Sequence, residues 1–236
     1  MNAQNSPMYE STTRQALAPA LRGGGVPIGK GPFAMVEALL KSPASVLQDL
    51  QGGRGALFQL SALVVATMVV TGLVMATFSG GLQVLLVPLK LSAGIFFCAL
   101  ICLPSLHIFS CLAGAGQSVK ETWGALLMGV SLMGILLVGF APVTWVFSQA
   151  TSSSAFMGAL HLMVLVLSSA FGLGLIGRAL TAMNHAPVRG TRLWSVLFVL
   201  VLFQMTTTLR PLVGASDGHV FGERLFFLTH WFRSLG

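Results

Sequence analysis

"ALFQLSALVVATMVVTGLVMATF", residues 56–78, runs through twenty-three positions without a charged side chain. An α-helix rises about 1.5 Å per residue, so about 20 apolar residues cross a hydrocarbon core of about 30 Å. Irregular backbone facing lipid would leave its polar groups unpaired, and the segment therefore reads as a transmembrane helix. The rest of the chain has the same character. Of its 236 residues 55% are hydrophobic and only 8% charged, a balance that cannot cover a soluble globule with a wettable surface. The fold class expected is an all-α, polytopic membrane protein.

Four more runs have the length and apolarity of spans: 91–113, 123–149, 155–177 and 193–208. With the first they make a five-span domain over residues 53–214, joined by short linkers rich in Gly, Ser or Pro. "LQVLLVPLK" ahead of the second span is read as a Pro-interrupted approach to it. Residues 1–31 contain Gly, Pro and Ser without an apolar run of signal-peptide length, and are expected to be a disordered cytosolic leader. Residues 32–52 are expected to form amphipathic interfacial helices. Phe33, Val36 and Leu40 make the apolar stripe of the first, with Glu37 and Lys41 beside it. The second starts at Ser42, an N-cap residue followed by Pro43, and buries Val46, Leu47 and Leu50. The tail, residues 215–236, includes "HVFGERLFFLTHWFRSLG" and is expected to be an interfacial helix with Phe, Leu and Trp towards lipid.

Lys and Arg placement sets the orientation, because cytoplasmic loops carry the excess. Arg14, Arg22, Lys30, Lys41 and Arg54 precede the first span, Lys120 lies between the second and third, and Arg178, Arg189 and Arg192 lie between the fourth and fifth. The opposite connections hold Lys90 alone. The amino terminus is placed in the cytoplasm and the carboxyl terminus across the membrane; Arg210, Arg224 and Arg233 follow the last span. The net charge of +7 thus reads as topology and contact with anionic lipid, and nucleic acid is not expected as a partner.

Polar side chains inside the spans are the candidate sites. "LPSLHIFSCLAG", residues 103–114, holds Pro104, Ser105 and His107. Pro104 frees the carbonyl of Leu100 and predicts a bend, while His107 is expected to hydrogen-bond across the bundle. Pro104, His107 and Cys111 share one helical face, and Cys98, Cys102 and Ser105 share another. One helix cannot converge such ligands, and His161 stands about three turns away, so no metal is expected. Thr144, Gln149, His161 and Gln204 form a second candidate group, either interhelical glue or the lining of a solute pathway. All six carboxylates, Glu10, Glu37, Asp49, Glu121, Asp217 and Glu223, lie outside the spans, which argues against proton- or sodium-coupled transport. No GxSxG, HExxH or phosphate-cradling GxxxxGK[ST] occurs, so neither an enzyme activity nor a cofactor is expected. Gly72 and Ala76, Ala125 and Gly129, Ser168 and Gly172, and Ala170 and Gly174 have the small-xxx-small spacing of close helix contacts, within the bundle, with a protein partner or in a homo-oligomer.

The leader with "ALLKSPASVLQDL", the five closely spaced spans and the "VPLKLSAG" start of the second resemble the Ypt-interacting protein (YIP) family over residues 33–210. "LPSLHIFSCLAGA", "GFAPVTWVFSQAT" and "LRPLVG" are similar to stretches of uncharacterised bacterial polytopic proteins. The resemblance implies a cytosolic amino terminus and a role like that of trafficking adaptors for prenylated GTPases, and its bacterial side implies the inner membrane. It transfers no catalytic or binding residue, and the long acidic leader of those adaptors is missing here. The function expected is a non-enzymatic scaffold or membrane-organising adaptor; the alternative is a channel or transporter component for a neutral or small solute.

Overall fold

The structure, a computed structural model, describes residues 31–52, 55–79, 83–114, 116–151, 154–184 and 190–208. The expected leader before residue 31 and the expected interfacial tail, 215–236, lie outside these residues. Every element among the described residues is helical: α1 (Pro32–Lys41), α2 (Pro43–Gln51), α3 (Ala56–Ser79), α4 (Gln83–Leu112), α5 (Val119–Ala150), α6 (Ser154–Asn184) and α7 (Thr191–Thr208). Four of them, α3 to α6, are long and apolar enough to cross a membrane. The chain is built as a multi-pass helical membrane protein. The apolar part of α7, Thr191–Met205, is shorter, so four of the five expected spans meet the length of a crossing among the described residues.

The second span starts earlier than its sequence pattern indicates. α4 begins at Gln83 and runs through both Pro88 and Pro104. Pro88 removes a single backbone bond, and it is accommodated because Gly72 of α3 leaves room: a Cβ on Gly72 would stand 2.6 Å from Pro88 Cα. The Pro88 carbonyl accepts from Ser92 Oγ at 2.8 Å.

α5 is the centre of the bundle. Between Thr122 and Gly134 all its residues but Trp123 and Leu132 are buried. α3 and α6 lie against it, α4 packs on α3 and touches α5, and α7 rests on α4. Neighbouring contacts fix the directions. Thr67 of α3 meets Gly134, and Ser131 Oγ donates to Leu60 O at 3.4 Å, so α3 and α5 run the same way. Ser169 of α6 reaches Met133 and Gly172 meets Gly129, the pattern of an antiparallel pair. One end of the bundle therefore gathers the starts of α3, α5 and α7 and the ends of α4 and α6.

α1 and α2 fold onto that same end, with Leu50 against Gly124 near the start of α5. The expected stripe of α1 is turned mostly away from the bundle, as on a helix lying at an interface. Met35 and Leu39 are the buried residues, whereas Phe33 is 88% and Leu40 54% exposed. α1 carries two apolar stripes, and the bundle takes the one with Met35 and Leu39. In α2 the expectation matches the packing: Val46 and Leu47 are buried and Leu50 half-buried. Ser42 stands at the N-cap with Pro43 next to it, but its hydroxyl lies 3.1 Å from Ser45 Oγ and caps no backbone N–H.

Candidate functional site

The most connected polar group among the described residues sits where α4 and α6 end and α5 begins. It starts from a local signal, "SVKE" at residues 118–121, which forms a capping box. Ser118 Oγ accepts from Glu121 N at 3.3 Å and the Glu121 carboxylate accepts from Ser118 N at 2.7 Å. The box fixes the first turn of α5 and with it Thr122, which is fully buried and faces α4.

Thr122 is the hub. Its Oγ1–H donates to Ser118 O at 3.1 Å, and the oxygen accepts from Gln117 Nε2 at 3.2 Å. His107 Nδ1 lies 3.1 Å from the same oxygen. Since the Thr122 proton is already directed at Ser118, Nδ1 carries the hydrogen and donates. Nε2 is then the lone-pair nitrogen, and it faces Cys111 Sγ at 3.6 Å, one turn further along α4. On the other side Asn184, the last residue of α6, donates through Nδ2 to Gln117 Oε1 at 2.9 Å and to Leu180 O at 2.8 Å. An unbroken chain of donors and acceptors thus runs from Cys111 through His107, Thr122 and Gln117 to Asn184, tying three helix ends together.

α7 is fastened to α4 near the same end. Trp194, fully buried, donates from Nε1 to Cys102 O at 3.1 Å and lies 3.2 Å from Ser105 Oγ. Ser105 Oγ also donates to Cys102 O, at 2.8 Å. Gly190, with φ +98°, turns the chain into α7 directly over the Phe109 ring. Ser105 and His107 therefore serve different neighbours: Ser105 meets α7 and His107 meets α5. Pro104 is exposed on α4.

In the second candidate group, Thr144, His161 and Gln149 bond within their own helices. Thr144 is buried and donates to Ala141 O at 2.9 Å, His161 Nδ1 donates to Met157 O at 2.7 Å, and exposed Gln149 donates to Ser148 Oγ at 3.3 Å. Each of those bonds stays within its own helix. Gln204 is exposed on α7, whose main neighbour is α4 rather than α5. Among the described residues no group of three or more His, Cys, Asp or Glu side chains is placed to hold a metal; Cys98 and Cys102 are buried, and Cys111 is exposed.

Gln117, Thr122 and Asn184 are the functional candidates that sequence reasoning passed over. Only the S-x-x-E spacing pointed to the place, through its helix start. No family model, curated protein or solved structure matches this chain.

Proposed function

We propose that the protein is a non-enzymatic scaffold or membrane-organising adaptor with five spans, its amino terminus in the cytoplasm of a cell with a bacterial-type inner membrane. The observation that carries this reading is the platform at one end of the bundle. α1 and α2 are anchored there by Met35, Leu39, Val46 and Leu47, and they turn Phe33, Leu40, Glu37 and Lys41 outward. A docked helix pair with exposed apolar and charged groups is a surface for a partner protein or for the headgroup region. The resemblance to the YIP adaptors gives the reading its class. Lys41, Lys120, Arg178 and Arg192, all exposed, lie towards the platform end, and Lys90 lies towards the other. That distribution supports a cytoplasmic platform.

The alternative of a solute pathway draws less support. Thr144, Gln149 and His161 bond within their own helices rather than to one another. A photo-crosslinking residue in place of Phe33 tests the proposal in native membranes. The expected result is a discrete protein adduct that disappears when Leu40 is replaced by Glu. Gradient-driven solute uptake by reconstituted protein, abolished by His161→Phe with the bundle still folded, would replace the scaffold by a transporter.

A further inference from the structure

The geometry points to Cys111 as a His107-assisted nucleophilic thiol that takes an acyl group from a long-chain acyl thioester and lays the acyl chain along α4. Cys111 is the exposed one of the three cysteines, and its sulfur faces the lone pair of His107 Nε2. Nucleophile, base and orienting group are all present, since Thr122 holds the Nδ1–H of that histidine through an oxygen that is itself fixed by Ser118 and Gln117. α4 has 30 residues and a length of about 45 Å, about 15 Å more than a hydrocarbon core, and its last turn lies at the end where Lys120, Glu121 and the polar chain gather, which sets Cys111 towards the headgroup layer. A thiol placed there meets both a carrier in water and an acyl chain in lipid.

An apolar track on the same helix suits an acyl chain. Ala93, Phe97, Leu100, Pro104 and Cys111 recur at intervals of three, four and seven and lie on one stripe of α4. Phe97, Leu100 and Pro104 are exposed along it. Ala93, Phe96, Phe97, Leu100 and Trp123 line an open, apolar groove of about 200 Å³. Leu100 is eleven residues from Cys111, or about 16 Å along the axis, and one leaflet's chain spans about 15 Å. An acyl chain on Cys111 reaches the groove without leaving the stripe.

The chemistry balances without a redox partner. Cys111 Sγ attacks the thioester carbonyl carbon, the new Sγ–C bond forms, and the bond from that carbon to the carrier sulfur breaks. The Sγ proton passes to His107 Nε2 and then to the departing carrier thiolate. The product is a thioester on the protein, formed once per chain, and the assignment holds whether or not the protein is a scaffold.

The test uses the full chain in lipid nanodiscs with a sixteen-carbon acyl-coenzyme A, read by intact mass and peptide mapping. One hydroxylamine-labile acyl group should appear on Cys111 and be lost in Cys111→Ser. His107→Gln keeps a donor towards Thr122 but removes the proton acceptor, and should slow the reaction about tenfold or more. An added Ala113→Cys provides an exposed thiol on the same chain without a histidine partner, and should react as slowly as the Gln variant's Cys111. A chain brominated near its end should quench a fluorescence component that Trp123→Phe removes. No adduct, equal rates at Cys111 and at the Ala113→Cys position, or acylation without that quenching would overturn the assignment.

Discussion

At the scale of single residues, Gly129 of α5 and Gly172 of α6 bring two helix backbones together, since a Cβ on either would stand 2.6 Å from the other's carbonyl oxygen. Backbone cannot yield as a side-chain tip does, so the helices would have to separate. Gly172→Val is expected to cost about 1–3 kcal/mol, seen as a lower melting temperature in detergent. Gly124→Ala meets only the flexible end of Leu50 and should cost less, and Gly174→Ala, with open space around it, should lose nothing and gain up to about 1 kcal/mol. Helix propensity alone would favour the new side chain over Gly at all three positions, so an equal loss for all three would show that proximity to the neighbouring helix does not govern these sites. The sequence made part of this legible. The pairs Gly72/Ala76, Ala125/Gly129 and Ser168/Gly172 have members at helix contacts, whereas Ala170 and Gly174 are exposed. Spacing identifies a face that permits contact, but only the third dimension decides whether a neighbour occupies it.

At the scale of elements, α1 was legible as an amphipathic helix, and its second apolar stripe, the one that docks on the bundle, was not. "PFAMVEALLK" offers Phe33, Val36 and Leu40 on one side and Met35 and Leu39 on another, and a membrane protein has apolar surroundings on two sides, protein and lipid. Burial alone therefore cannot choose the stripe. The two faces should behave differently. Leu39→Ala is expected to destabilise the fold by about 2–5 kcal/mol, since Leu39 is 2% exposed in the core. Phe33→Ala should leave stability unchanged and weaken crosslinking from a photo-reactive residue placed at exposed Glu37. The ion pair on the outer side matters little: Lys41 Nζ and Glu37 Oε1 are 2.8 Å apart, but both are well exposed. Bonding to the Lys41 ammonium holds the Glu37 carboxyl below its usual value, so any stabilisation is present above the ordinary carboxylate range and is lost as pH falls through the lowered one. Lys41→Gln should flatten that small acid dependence in a melting series and leave α1 docked. The start of α4 was misplaced for a related reason, because Pro88 reads as a break until Gly72 is known to lie against it.

At the scale of the whole molecule, most of the charge gathers at one end, and among the described residues no charged side chain is buried. Glu37, Lys41, Asp49, Lys120, Glu121 and the chain from Cys111 to Asn184 all belong to the end capped by α1 and α2. Residue counts and apolar length made the helices legible, but the junction of Gln117, Thr122 and Asn184 was not, since their bonds join positions up to 67 residues apart. Interhelical bonds of this kind contribute on the order of 1 kcal/mol or less in a bilayer, so Asn184→Leu should lower stability slightly without unfolding the protein. The larger consequence concerns orientation. Four of the five described Lys and Arg residues lie towards the platform end. With the native reactive thiol removed by Cys111→Ser, cysteines replacing Gly53 and Ala186 are expected to be shielded from a membrane-impermeant reagent in intact cells, and one replacing Ser153 to react. Because the bias is shared among several loops, Arg54→Gln should leave that pattern as it is. Labelling at position 53 in sealed cells would put the platform outside and take with it the cytoplasmic adaptor reading, whereas the packing of α3 to α6 around α5 would stand.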